Sequence, residues 1–220
     1  MSTNVHKLKN SSRLGPIVAI LAIGLLLAAS SARATVFDLT SDHCTGGCGT
    51  PPFGTVTVTQ NGTSVDITVD LATGYKFAKT GSADFQAFKF NGTGVALGDI
   101  TVDQTVSGQT LAAMTGAFNG DGTGMFTFGI ECTTCKNGGA SAFDDNIVFH
   151  VADATIADLT QGNNFNIIFV ADVLAPNGNT GPVDVTGPGG RTPDSGSTAL
   201  LLGLSLFGLG FVRMPFRKKA

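Results

Sequence analysis

Four cysteines, two histidines and a scatter of aspartates are the side chains after residue 34 that have chemistry to offer. The cysteines come as Cys44-x3-Cys48 and Cys132-x2-Cys135. In an oxidising compartment an even count reads as disulfides, with three possible connectivities. Two local bridges are the simplest reading, because each pair sits in a Gly- or Asn-bounded loop. Bridges between the pairs would close loops of about 85 to 90 residues and stabilise by about 4–5 kcal/mol each in the chain-entropy model. The four thiolates, with His43 as a substitute ligand, have the spacing for a zinc site instead, although an oxidising compartment argues against it. A redox role for Cys132-Thr133-Thr134-Cys135 lacks the following helix that would lower a thiol pKa.

Oxygen ligands are the second possibility. Asn119, Asp121 and Thr123 occupy alternate positions of Asn119-Gly120-Asp121-Gly122-Thr123-Gly124, as in a calcium loop, but a bidentate Glu would belong at Ile130 and Glu131 comes one residue late. A Gly-rich hairpin turn explains the stretch as well, and Asp144, Asp145 and Asn146 form an alternative cluster. Enzyme signatures are missing: there is no Gly-x-Ser-x-Gly elbow, no His-Glu-x-x-His helix and no phosphate-cradling Gly-Lys-Ser/Thr loop. His150 reads as a sheet residue on the face of Val148. Aspartate pairs are too abundant for any one to be informative. The sequence therefore predicts no catalytic residue and no cofactor beyond calcium. Sugar-stacking surfaces usually need exposed Trp or Tyr, and this chain has no Trp and only Tyr75.

The elements that must position these groups are strands. Helix formers are scarce after residue 34, whereas Gly, Thr, Val, Phe, Asn and Asp abound. Thr55-Val56-Thr57-Val58-Thr59 alternates, Gln60-Asn61-Gly62-Thr63 turns, and Val65, Ile67 and Val69 alternate with Asp66, Thr68 and Asp70, which spells a hairpin. Similar runs at 85–90, 124–130, 147–151 and 165–173 predict an all-β, antiparallel, jelly-roll-like sandwich of roughly eight to ten strands over residues 35–177. Thr155 to Leu159 fits one helical turn or a strand end. The Gly-, Pro- and Asn-rich stretch 178–191 predicts a flexible linker. The Asn-Gly-Thr sequons at Asn61 and Asn91 read as turns.

Both ends read as address labels. Lys7, Lys9 and Arg13 precede an apolar run from Ile17 to Ala29 and an Ala32-Arg33-Ala34 cleavage site, so residues 1–34 form a signal peptide and the exported chain starts at Thr35. At the other end, over 192–220, Thr192-Pro193-Asp194-Ser195-Gly196-Ser197-Thr198 runs into an apolar span, Ala199 to Val212, closed by Arg213, Arg217, Lys218 and Lys219. That span falls short of the roughly 17 to 25 residues that cross a bilayer as a helix. With Arg213 snorkelling and Met214 to Phe216 added, it just reaches as a single hydrophobic transmembrane helix, a marginal anchor suited to transient residence in the membrane. The alternative is a plain permanent anchor. Without the labels, residues 35–190 carry four lysines against fifteen acidic residues, a net charge of −11. Such a body repels nucleic acid and anionic lipid and attracts divalent cations.

The order Pro193, Asp194, Ser195, Gly196, Ser197, Thr198, Leu/Gly-rich span and basic end resembles the PEP-CTERM class of bacterial sorting tails, most closely the VPDSG variant. Thr192 stands where that variant usually has Val, and Met214-Pro215-Phe216 interrupts its basic run. The resemblance implies recognition and cleavage by an exosortase, a membrane-embedded cysteine transpeptidase, after signal peptidase has acted at the other end. Gly54 to Gly62, Thr115 to Gly120, Phe126 to Ile130 and Phe169 to Val173 resemble exported PEP-CTERM cargo. This implies a secreted, non-enzymatic sandwich with a structural or interaction role at the cell surface or in a biofilm matrix, with exopolysaccharide as a partner. The rival expectation is a secreted polysaccharide-binding or polysaccharide-active module.

Overall fold

The computed structural model describes residues 33–80, 85–103, 108–187 and 190–191. The signal peptide, apart from Arg33 and Ala34, and the sorting tail lie outside these residues. Thirteen strands are found among them: β1 (Arg33–Leu39), β2 (Ser41–Asp42), β3 (Gly54–Asn61), β4 (Ser64–Leu71), β5 (Lys76–Lys79), β6 (Gln86–Phe90), β7 (Ile100–Val102), β8 (Leu111–Asn119), β9 (Met125–Cys132), β10 (Gly138–Phe143), β11 (Ile147–Val151), β12 (Ile167–Leu174) and β13 (Thr180–Thr186). A 3-10 turn, Leu97–Asp99, precedes β7, and a short helix, α1 (Ile156–Leu159), precedes β12. Thr155 caps α1, accepting from the Asp158 N–H while the Asp158 carboxylate accepts from the Thr155 N–H. No helix among the described residues is long and apolar enough to cross a membrane.

The strands form two antiparallel sheets packed as a sandwich. Sheet A runs β1-β3-β4-β11-β7 and sheet B runs β10-β5-β12-β6-β9-β8. In sheet B, β5 and β6 share one edge of β12, while β13 pairs along the other edge and carries β2 beyond it. The β3–β4 hairpin closes through Gly62 and Thr63 with Asn61 opposite Ser64. Gly62, at φ 62°, supplies the left-handed conformation that the first position of such a two-residue turn requires.

Phenylalanines stitch the sheets together. Phe37 of sheet A meets Phe169 of sheet B edge-on at 5.4 Å, and Phe149 of sheet A lies 6.0 Å from Phe88 and 5.2 Å from Phe90. Phe88 stacks on Phe169 at 5.7 Å and Phe90 on Phe128 at 5.7 Å. Phe suits this layer because it fills the space between sheets and brings no polar atom that would need a buried partner.

The sheets differ in burial. β11 throughout, β3 up to Thr59 and β4 up to Val69 alternate between buried and half-buried positions, whereas β6 is buried at all five residues and β12 at seven of eight. Sheet B is therefore covered on both faces around β6 and β12, and a second small apolar cluster, Phe126, Ile167 and Val170, lies apart from the main core.

Two sequence expectations are corrected. The stretch 178–191 is not a flexible linker: Thr180–Thr186 is β13, which pairs with β12 from Thr180 to Thr186 and is buried over five residues. Its Gly and Pro content concealed a strand that leans on β12 rather than on long side chains of its own. The count of eight to ten strands also falls short, because β1, β2, β5, β7, β8 and β10 are short, Gly-rich or without clear alternation.

Candidate functional site

The cysteines are joined within each pair, Cys44 to Cys48 and Cys132 to Cys135, each with Cα atoms 5.3 Å apart. The first loop lies over the end of sheet B. The Asp42 carboxylate accepts the N–H groups of Cys44 at 2.8 Å and Cys48 at 2.7 Å, and Asn177 and Asn179 both donate to the Gly47 carbonyl. Tyr75 donates its hydroxyl to the Cys48 carbonyl at 2.8 Å. The loop approaches β13 so closely that a Cβ on Gly181 would come within 2.7 Å of the Cys44 Cα. Asp42, Cys44 and Cys48 are the one group of three such ligand atoms brought together among the described residues. Both sulfurs are in the disulfide and both carboxylate oxygens hold backbone N–H groups, so the zinc alternative and the cross-bridged connectivities give way to two local bridges.

His43, the zinc alternative's extra ligand, points instead to Asp184 of β13, with Nε2 at 2.6 Å from Oδ2. Asp184 is fully buried and also accepts the Thr186 hydroxyl at 2.7 Å. Ser41 Oγ lies 3.4 Å from the same Nε2. A nucleophile–base–acid relay needs the two ring nitrogens to face different partners, so Ser41, His43 and Asp184 do not form one. His150 is a sheet residue sharing the half-buried face of β11 with Val148, as the sequence predicts, and meets Asp103 at 2.8 Å.

The calcium candidates fall on the β8–β9 turn. Asn119 ends β8 opposite Met125, Asp121 is exposed at φ 44°, and Thr123 is fully buried. The Thr123 hydroxyl donates to the Gly120 carbonyl at 2.6 Å, Gly120 N–H donates to the Gly124 carbonyl at 2.9 Å, and the Asn163 amide holds the Thr123 carbonyl at 2.6 Å. The Thr123 hydroxyl is thus taken up within a turn closed on itself and pinned to the segment before β12. In the other cluster, Asp144 pairs with Lys76 at 3.7 Å across an exposed surface.

The residues that sequence reasoning passed over are Lys89 on β6 and Asp172 on β12. Lys89 Nζ lies 3.0 Å from Asp172 Oδ2, with side chains 0% and 2% exposed. Burial pushes the Asp172 carboxyl above the usual carboxylate range, against the opposing pull of the Lys89 charge and hydrogen bond. A signal was present: each is the lone charged residue of its strand, Phe85-Gln86-Ala87-Phe88-Lys89-Phe90, where only Gln86 is also polar, and the otherwise apolar Phe169-Val170-Ala171-Asp172-Val173.

At the root of the tail, Arg191 forms a bridge with Val36 of β1, its N–H donating to the Val36 carbonyl at 2.7 Å and its carbonyl accepting the Val36 N–H at 2.8 Å. Its guanidinium meets Asp38 at 2.7 Å. Gly190 lies against β1 where a Cβ would come within 2.7 Å of the Phe37 ring. The folded body is thereby held to within one residue of Thr192. Pro193, Asp194, Ser195, Gly196, Ser197 and Thr198 themselves lie outside the described residues.

No curated protein and no solved structure matches the chain. The family model described as the VPDSG-CTERM motif matches residues 193–213. The chain thus ends in a VPDSG-CTERM motif, a PEP-CTERM-like exosortase sorting signal, which implies export to the cell surface and processing by an exosortase.

Proposed function

We propose that this protein is a non-enzymatic structural or interaction component of the cell surface or extracellular matrix, held in the membrane only until its tail is cut. The observation that carries the reading is the sorting motif at 193–213, which begins two residues after Arg191, paired with β1 of sheet A. A marginal apolar span with a basic end suits a temporary hold. The fold around it supports a structural role: the two histidines of the body are each taken up by a carboxylate, and the cysteines tie loops rather than present thiols.

Substituting Pro193→Ala, Asp194→Ala, Ser195→Ala and Gly196→Ala together tests the sorting step. Export should persist while uncleaved protein accumulates in the membrane, and wild-type surface protein should lack residues 199–220. Normal size and amount of the variant at the surface, or Arg213 to Ala220 still attached to wild type, would leave a plain anchor. The role of the body is tested by a glycan array together with an assay for released reducing sugar. Sugar release would overturn the non-enzymatic reading, and selective glycan binding without it would identify exopolysaccharide as the partner.

A further inference from the structure

The buried Lys89–Asp172 pair goes beyond anything the sorting motif explains. The two residues sit on adjacent strands, with Lys89 opposite Val170 of β12 and Gly129 of β9, so that Asp172 is the diagonal neighbour on the same face. Val170 belongs to the second apolar cluster, and both side chains are closed off from water. A lysine amine held 3.0 Å from a carboxyl oxygen in a dry site is a nucleophile beside an electrophile.

Two further atoms point the same way. Thr80 Oγ1 and Gln86 Oε1 are buried and have no hydrogen-bond partner among the described residues. Thr80 lies beside the Asp172 carboxyl, near enough to favour its charged form but without a well-formed hydrogen bond. The Gln86 side chain folds over Gly129, the cross-strand neighbour of Lys89. An unmatched hydroxyl and an unmatched amide oxygen are the donor and the acceptor that one new amide, with its C=O and N–H, would require.

We propose that Lys89 and Asp172 condense into an intramolecular isopeptide bond that joins β6 to β12. Within the pair, a proton passes from the Lys89 ammonium to the Asp172 carboxylate, because a dry site favours two neutral groups over two charged ones. The Nζ lone pair then attacks Cγ of the carboxylic acid, with the Thr80 hydroxyl placed to polarise the carbonyl. The Cγ–OH bond breaks, and the hydroxyl leaves with a second amine proton as water. One ammonium and one carboxylate give one amide and one water, with no oxidant, reductant or co-reactant. The bond closes a loop between positions 83 residues apart and removes two buried charges.

The test is the intact mass of the full folded protein after denaturation and reduction, followed by a tryptic map. Wild type should be lighter by one water than its sequence requires. Trypsin should fail to cut after Lys89 and should yield a branched peptide of 80–136 joined to 137–191, which no disulfide links because Cys132 and Cys135 share one arm. Lys89→Arg keeps a cation beside Asp172 without the amine nucleophile and should show the full mass. Wild type at full mass would overturn the proposal. So would a water loss that persists in Lys89→Arg or maps to a succinimide at Asp121-Gly122. The branched peptide decides the matter even if the variant folds poorly.

Discussion

The outer faces of the two sheets obey different rules. On sheet A the outward row, with Thr57 opposite Thr68 and Asp66 opposite His150, meets water, and its strands alternate accordingly. On sheet B the outward positions of β6, β12 and β13 are covered, and the charged residues there are buried in partnership, Lys89 with Asp172 and Asp184 with His43. A polar residue on the first face is solvated and replaceable. On the second it must be matched, because a buried charge without a partner costs several kcal/mol.

The largest expected difference comes from deleting one member of a covered pair. Lys89→Ala leaves the Asp172 carboxyl buried without its cation and should destabilise by about 3–5 kcal/mol. Urea denaturation measures it, and a loss no greater than that from a sheet A threonine would break the contrast. Gly129→Ala probes the same covered face sterically. Its Cβ would run into the Gln86 side chain and come within 3.0 Å of the Phe88 carbonyl. Overpacking of this kind should cost about 1–3 kcal/mol. Thr57→Ala, on the water side of sheet A, should stay within about 0.5 kcal/mol of wild type, and a larger loss would show that this face too is covered in the mature protein.

Proton affinity sharpens the contrast further, with opposite signs. Asp158 faces water, and hydrogen bonds from the Thr155 side chain and then its backbone hold its pKa below the ordinary value. Its contribution is present above the unfolded pKa and is lost as pH falls through the depressed folded value. Asp172, while it remains a free carboxyl, has a raised folded pKa. The native state then binds its proton more tightly, so its contribution is fullest below the unfolded pKa and declines as pH rises through the raised value. Carboxyl NMR titration of the wild type separates them. Shifts in the same direction would erase the distinction, and absence of any Asp172 titration is what an amide at that position would give.

These two rules also decide what could be read from the amino-acid order. The β3–β4 hairpin was legible because one of its faces is wet, and Val56, Val58, Val65, Ile67 and Val69 mark the dry side at every second residue. β6, β9, β11 and β12 were legible as apolar runs. β13 was not, since Gly181 and Pro182 carry no strand signal, and its place depends on β12, six positions earlier at its nearest, for every hydrogen-bonded neighbour named along its length except β2. The local cysteine pairing could be anticipated from loop composition, whereas the Asp42 cradle that shapes Cys44 to Cys48 could not, because it depends on the side-chain direction of one aspartate. Lys89 and Asp172 each stand out as the lone charge of their strand, but their pairing depends on the sheet order that puts β6 beside β12.

The bridge between Arg191 and Val36 also has a mechanical meaning. A pull on the tail reaches Arg191 before β13, and it meets two backbone hydrogen bonds and one exposed guanidinium contact rather than the seven-residue seam between β13 and β12. Under load that corner is the weak link: it peels first and lengthens the leash, leaving the sandwich intact. A domain hauled toward a membrane protease can thus yield a few residues of slack at its rim without unravelling.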